Sequence, residues 1–555
     1  MRIKLLLLVI CLFFTANIFS MPSGNIYQYQ TSAIFPQVKD TFKILDFNNI
    51  KAYFWSSGIF NRNMNLQNAP GFFWPKNSNN TACYSAGLSM ACRINGQLAE
   101  SMASFIGEFK AGCVINHQPY TDSTFKYYSV KKTDNIYTNP DYANWYLMVP
   151  YGAPFKDVNN NGVYDQGIDI PGVPNSSQTI FVCMTDAFPE SHNIGEGIGG
   201  GVTNPLMMAE VHFTAFTYDL TALDDAQYMK WEIINKGEQP WQHTFFSVTT
   251  DPDLGYGLDD DIGCDIGRNL GYCYNHGDTD MYYGVHPPAF GITLLKGPVI
   301  GSDTLPMTSF TYYCKNSNSP SICLTQSNGE PGPSYICMKG FLKDSTPFLN
   351  PTIPLGQGTR KTKYCFSGDP ETQTGWLDGN ILINCSGDTI GTPFPPFGGG
   401  DRRFLLSTGS EDLTIQPNEK QTIFMAQLIA RGTSNLNSVT KLKLYCDEVR
   451  NLYNTYIFVE KIISGIIPNN FELGQNYPNP FNPVTTITYD LPINTYVDIR
   501  LYDITGKEIQ RLVNERQTAG TYKISFDGTE LPSGIYFYRM TTPTFTESKK
   551  MVLVK

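Results

Sequence analysis

The sequence predicts an all-β fold: a multidomain β-sandwich body with minor helix, followed by a smaller C-terminal β-sandwich. Three observations carry this. Short segments with strand patterning recur, among them Tyr127–Val130, Thr179–Met184, Val211–Tyr218, Met229–Ile234, Thr244–Thr249 and Thr422–Leu428. Turn-forming residues separate them, with 48 Gly and 36 Pro in 555 residues. Aromatic residues reach 13% while charged residues reach only 16%, a balance that suits pleated, packed surfaces. The same composition excludes a coiled coil, a nucleic-acid-binding tail protein and a disordered acidic chain. At about 100–200 residues per domain, the length accommodates three or four domains.

Residues 1–20 have the three parts of a secretory signal. Arg2 and Lys4 supply the charge, Leu5 to Phe14 the apolar stretch, and small or polar residues lead to Ser20. Ten to twelve apolar residues are too few for a bilayer core of about 30 Å, so a cleaved signal peptide is expected rather than an anchor. No later stretch reaches 18 apolar residues, and no transmembrane helix is expected in the mature chain. Loss of Cys11 with the leader leaves twelve cysteines in an exported protein. Three pairs, Cys83/Cys92, Cys264/Cys273 and Cys314/Cys323, share one spacing, and disulfides are expected for at least two of them. No Cys-x-x-Cys occurs, which removes support for a zinc ribbon or thioredoxin-like chemistry.

The body, residues 21–465, is expected to hold two or more subdomains. Across Asn437–Tyr456, Val439, Leu442, Cys446, Val449, Leu452 and Tyr456 recur at three and four residues, which predicts an amphipathic helix packed on a sheet. Residues 98–111 are a weaker helix candidate. The net charge of −10 becomes about −12 for the body once the basic leader and the neutral C-terminal ninety residues are set aside. An acidic body has no use for a phosphate backbone, so no nucleic-acid partner is expected.

The acids concentrate in two segments. In the first, Asp157, Asn159 and Asn161 fall at ligand positions 1, 3 and 5 of an EF-type calcium loop, with Gly162 at the turn. The Val163 carbonyl and Asp165 follow at positions 7 and 9. Position 12 is Ile168, and the nearest acid, Asp169, comes one place late. The second segment places Asp251, Asp253, Asp259, Asp260, Asp261 and Asp265 within fifteen residues without a Lys or Arg. Such carboxylates repel one another, and Ca²⁺ is the cofactor expected to relieve this at both segments.

Other patterns fail on context. Gly195-x-Gly197-x-x-Gly200 matches a dinucleotide fingerprint, but Pro205 follows where a helix must run. The six histidines show no His-Glu-x-x-His spacing, and His212 on its strand reads as structural. Trp231 and Trp241 read as core rather than sugar-stacking platforms. No catalytic residue is assigned.

Residues 466–555 read as short strands, Thr485–Tyr489, Tyr496–Tyr502, Thr521–Phe526, Gly534–Met540 and Lys549–Val554, with turns between them. The linker Ile462–Asn470 marks a boundary. Phe471-Glu-Leu-Gly-Gln-Asn-Tyr-Pro-Asn-Pro-Phe-Asn-Pro483, Leu501-Tyr-Asp-Ile-Thr-Gly506, Leu531-Pro-Ser-Gly-Ile-Tyr-Phe-Tyr-Arg539 and Lys549-Lys-Met-Val-Leu-Val-Lys555 occur in order. This segment resembles the type A C-terminal sorting domain of the type IX secretion system. The resemblance implies an immunoglobulin-like fold, passage through the periplasm and recognition by the type IX machinery. It further implies cleavage of the domain and attachment of the passenger to surface lipopolysaccharide. Pro70-Gly-Phe-Phe-Trp-Pro75, Asp251-Pro-Asp-Leu-Gly255, Gly263-Cys-Asp265 through Asn275 and Arg402-Arg-Phe-Leu-Leu-Ser-Thr-Gly409 resemble a recurrent passenger region of such exported proteins, for which no activity carries over. The expected protein is secreted or held at the outer cell surface, with a calcium-stabilised body in a structural, adhesive or ligand-binding role. The alternative is a secreted hydrolase, a glycosidase or peptidase, carrying the same sorting tag.

Overall fold

The computed structural model describes residues 40–66, 69–159, 161–192, 201, 203–218, 220–301, 303–313, 332–354, 356–378, 382–383, 392–393, 399–456, 459–462, 468, 470–517, 519–529 and 531–555. The leader, the Gly195–Gly200 pattern, the Cys314/Cys323 pair and most of the linker lie outside the described residues.

Two antiparallel sheets form the body. The first runs through strands Ser309–Tyr313, Arg403–Gly409, Gln242–Asp251, Ser85–Ile94, Ile59–Phe60, Lys51–Trp55, Phe72–Phe73 and Thr81–Cys83, with Phe42–Leu45 and Gln97–Ser101 added at its side. The second runs through Lys110–Ala111, Gln178–Thr185, Ala209–Thr217, Ala226–Asn235, Lys420–Ala430, Ala289–Lys296, Leu270–Asn275 and Asp260–Asp265, with Tyr128–Lys131 beside Gln178–Thr185. Their inner faces share one core, in which Phe54 and Phe60 of the first sheet meet Phe213 and Trp231 of the second. A chain of buried amides crosses it: Asn61 Nδ2 donates to Gln427 Oε1 and Gln427 Nε2 to Gln227 Oε1, both at 2.8 Å.

The long apolar run of Lys420–Ala430 follows from cover on both faces. Ile423, Met425 and Ile429 enter the shared core, while Phe424, Ala426 and Leu428 face the helix Asn435–Tyr456. That helix buries Val439, Leu442, Cys446, Val449 and Tyr453 against this outer face. A shorter helix, Pro333–Met338, covers Ala91, Phe245 and Leu405 on the outside of the first sheet. The layering is therefore helix, sheet, sheet, helix.

The second sandwich has two four-stranded sheets. One joins Val459–Ile462, Gly520–Asp527, Val484–Leu491 and Glu472–Leu473; the other joins Glu508–Gln517, Thr495–Asp503, Gly534–Thr541 and Thr546–Leu553. Period two holds in four of its strands: Ile487, Tyr489 and Leu491; Val497, Ile499 and Leu501; Tyr522, Ile524 and Phe526; Tyr536, Tyr538 and Met540. Every residue of this core lies between Leu473 and Leu553.

Two expectations are corrected. Residues 98–111 contain no helix; Gln97–Ser101 is a strand paired with Ser85–Ile94. Ile94 lies opposite Gln97, and Asn95 and Gly96 between them have φ of 52° and 79°. This is the two-residue Asn-Gly turn that closes a hairpin, and it overrides the weak helical spacing beyond it. The cysteines described are all free thiols, so neither Cys83/Cys92 nor Cys264/Cys273 is a disulfide. Cys83 ends the strand that pairs with Phe72–Phe73, while Cys92 is carried roughly 23 Å along Ser85–Ile94 at about 3.3 Å per residue. Cys264 stands opposite Gly271 and Cys273 opposite Ile262, a diagonal relation of about 7–8 Å that a disulfide does not span.

Candidate functional site

The first acidic segment is the tip of a hairpin. Phe155–Lys156 and Ile170–Pro171 pair antiparallel, so the loop opens at Asp157 and closes at Asp169. Gly162 adopts φ of 80°, the left-handed turn that the sixth position requires. Asp157 accepts the backbone N–H groups of Asn161 at 3.2 Å and Gly162 at 2.7 Å. Asn159 and Asn161 both donate to Asp165 Oδ2 at 2.6 Å. Ile168 is 55% exposed, whereas Asp169 is 1% exposed and accepts from the N–H groups of Val158 and Asp165. The acid that comes one place late therefore turns inward and Ile168 points to solvent. Hydrogen bonds thus link Asp157, Asn161, Asn159, Asp165 and Asp169 in one chain around the hairpin tip, with Val163 exposed beside it, and carboxylate, amide and backbone oxygens are the donor types that a hard cation takes.

The second acidic segment behaves differently. Residues 260–265 are a strand, and its alternation sends successive carboxylates to different surroundings. Asp260 is buried, accepts the Leu254 N–H at 2.9 Å and has its pKa pushed well above the carboxylate range by burial. Asp261 bonds His276 Nδ1 at 2.8 Å; burial, and then the nearby Asp378 carboxylate, raise its pKa. Asp259 takes the Asn275 amide at 2.9 Å. At the far end of the strand Asp265 pairs with Arg268, which also binds Asp447. Asp251 and Asp253 come together with Asp401, with one oxygen from each within 4.8 Å of the others. Arg403 stands beside them, its Nε 3.6 Å from Asp251 and 3.4 Å from Asp401. Sequence reasoning missed Asp401, Arg403 and Asp378 because more than a hundred residues separate them from Asp251 and Asp261 in the second acidic segment.

A buried titratable cluster lies where the strand Gln97–Ser101 meets the ends of Gln178–Thr185 and Ala209–Thr217. Glu100 accepts from the Gly332 N–H at 3.0 Å and the Ser334 hydroxyl at 2.8 Å, fastening the helix Pro333–Met338. Asp186 accepts from Ser101 Oγ and the Ala209 N–H. His192 lies between the Asp186 carbonyl, 2.7 Å from Nε2, and Glu108, 3.5 Å from Nδ1. Burial raises Glu100 to about 7. Burial alone pulls His192 down, but the Glu108 bond and the Asp186 charge more than offset it and raise the imidazole to about 9. Both folded values exceed the unfolded ones, so both contributions are complete at low pH and are lost as pH rises. Glu100 acts between pH 4.5 and about 7, and His192 between 6.5 and about 9. The melting temperature is expected to fall steadily from pH 5 to pH 9, with Glu100 accounting for about 3 kcal/mol at 1.36 kcal/mol per unit. Circular dichroism melts of the unmodified chain and Glu100→Gln check this: the variant is expected to show a shallower fall below pH 7, with the part due to Asp260 and Asp261 retained, and a flat profile in the unmodified chain contradicts the assignment.

Trp231 and Trp241 are buried core residues, as expected of tryptophans in a β-sandwich. An open cavity of about 340 Å³ is lined by Lys43, Asp46, Lys131, Asp134 and Asp141. Its lysines are already paired, with Lys131 on Asp46 and Lys43 on Asp141. Among the described residues no helix is long and apolar enough to cross a membrane.

In the C-terminal sandwich the quoted motifs have definite places. Asn476 and Gly474 are tied to Tyr538, whose hydroxyl donates to the Gly474 carbonyl at 2.7 Å and accepts the Asn476 N–H at 2.8 Å. Asn479 holds Val552 of the last strand by its N–H at 2.9 Å. The Leu501–Gly506 motif ends in a turn in which Asp503 accepts the N–H groups of Thr505 and Lys507. The family described as the secretion system C-terminal sorting domain matches residues 475–555, all within this sandwich. No curated protein matches the chain. Residues 475–555 are thus a type IX secretion C-terminal sorting domain, and the protein that carries it is secreted or held at the outer cell surface.

Proposed function

We propose that the body is a calcium-stabilised module delivered to the cell surface or medium by the sorting domain, where it serves a structural, adhesive or ligand-binding role. The observation that carries this is that hydrogen bonds link Asp157, Asn159, Asn161, Asp165 and Asp169 at a single hairpin tip. Amide groups of Asn159 and Asn161 lie on Asp165; turning both amides over would aim carbonyl oxygens at a cation instead. A bound ion would then fix the hairpin and stabilise the folded state by mass action. The Asp251–Asp253–Asp401 set, with Arg403 beside it, is the secondary candidate. We further infer that the sorting domain engages the type IX machinery, that it is removed near the linker that precedes it, and that the body is then retained on surface lipopolysaccharide.

Chelation with EGTA is expected to lower the melting temperature, by the equivalent of about 1–3 kcal/mol when calcium had been near 100 times its Kd. Asp165→Ala is expected to abolish that response, because it removes the oxygen that both amides share. Identical melts with and without the chelator reject the calcium reading. Mass spectrometry of surface and medium fractions tests the processing: an intact C-terminus on all surface material rejects removal of the domain.

A further inference from the structure

We propose that Cys183, Glu210 and His212 form a site for a thiophilic divalent cation, with zinc as the type ion. One donor atom from each residue lies within 4.8 Å of the others, and all three residues are buried. Strand register produces the set. Cys183 stands directly opposite His212 in the ladder between Gln178–Thr185 and Ala209–Thr217, and Glu210 precedes His212 by two and shares its face. These are inner strands of the second sheet, buried along their whole length, so the backbone that carries the donors is rigid.

Each donor is already oriented by a second contact. Glu210 places Oε1 2.9 Å from His212 Nε2, while its other oxygen accepts the Val114 N–H at 2.9 Å. The Cys183 thiol donates to the Gly112 carbonyl at 3.1 Å. Gly152, with φ of 86°, abuts the imidazole, and a Cβ there would meet Nδ1 at 2.7 Å. Outer contacts of this kind hold metal ligands in place. Donors around a tetrahedral zinc stand roughly 3.5 Å apart, so closing on an ion takes side-chain shifts of about 1 Å.

The donor chemistry selects the ion. One sulfur, one imidazole nitrogen and one carboxylate suit zinc-like cations, whereas calcium takes six to eight oxygens. A thiolate and a carboxylate together balance a 2+ ion, leaving no uncompensated charge in the core. On binding, the Cys183 proton leaves to solvent, the Nε2 proton that His212 donates to the Glu210 carboxylate is released and the imidazole is re-protonated on Nδ1, and the freed lone pairs of Nε2 and Oε1 bond the metal. Coordination would also keep this thiol from oxidation in an exported protein.

The test is titration of the metal-stripped full chain with Co²⁺. A thiolate-to-cobalt charge-transfer band that saturates at one equivalent, is displaced by Zn²⁺ and is untouched by excess Ca²⁺ is expected. Cys183→Ser, checked for folding by circular dichroism, is expected to lose the band. His212→Gln is expected to weaken binding by more than the roughly 10–100-fold that outer-contact losses cost. Absence of the band in the unmodified chain, its displacement by Ca²⁺, or its persistence in folded Cys183→Ser overturns the proposal.

Discussion

Deletion of residues 475–555 is expected to leave the protein in the periplasm, with none at the cell surface or in the medium. The body should survive the deletion. Its three apolar clusters draw on residues from Leu45 to Tyr453, and the C-terminal core draws only on residues from Leu473 to Leu553. Removing residues 475–555 therefore takes away all of that core but Leu473, leaving only the strands Val459–Ile462 and Glu472–Leu473 of the small sandwich, without opening the core of the body. Fractionation with an antibody to the body, together with circular dichroism of the periplasmic material, separates loss of export from loss of folding. A truncated body that still reaches the surface contradicts a type IX route. Tyr538→Ala offers a graded version. It empties the centre of the small core and removes the hydroxyl that ties Gly474 to Asn476, at a cost of about 3–5 kcal/mol, and export should fall as the sandwich loosens.

Arg402→Met is expected to destabilise the body by about 3–5 kcal/mol near pH 8. Arg402 Nε lies 2.8 Å from Asp378 Oδ2, with both side chains almost fully buried, and its guanidinium stands 5.7 Å from the Tyr312 ring. Asp378 also accepts the Ile262 N–H at 3.0 Å, which couples the pair to the edge strand Asp260–Asp265. Without the guanidinium, Asp378 and Asp261 face one another as buried like charges. One of them must then hold a proton, so its folded pKa rises, and the deficit should shrink as pH falls from 8 to 5. Urea midpoints at the two pH values measure this. Arg402→Met combined with Asp378→Leu should recover much of the loss, because replacing both partners leaves no orphaned charge. A deficit under about 1 kcal/mol at pH 8 for the single variant contradicts the picture.

Strands whose two faces see different surroundings were legible because alternation is local, as in Val484–Leu491 and Gly534–Thr541. The helix Asn435–Tyr456 was legible for the same reason at its own period. Glu508–Gln517 escaped notice. Its register shifts against Thr495–Asp503 bring the adjacent Leu512 and Val513 both into the core, which breaks the alternation that marks a strand. At the acidic segments the outcome divided along the same line. Asp157 to Asp169 are close in sequence and meet at one hairpin tip. Asp260, Asp261 and Asp265 are equally close, yet the strand they occupy scatters them to Leu254, His276 and Arg268.

By itself the sequence determined the β class, the helix, and the sorting domain with its destination. Each depends on residues near one another along the chain, whose spacing alone fixes which side they face. Only the tertiary structure decided which cysteines stay unpaired, that Asp401 joins Asp251 and Asp253, that Arg402 neutralises Asp378, and that Cys183 meets Glu210 and His212. Those contacts depend on which strands pair and in what register, and pairing is settled by burial summed over two whole sheets rather than by any short stretch of residues.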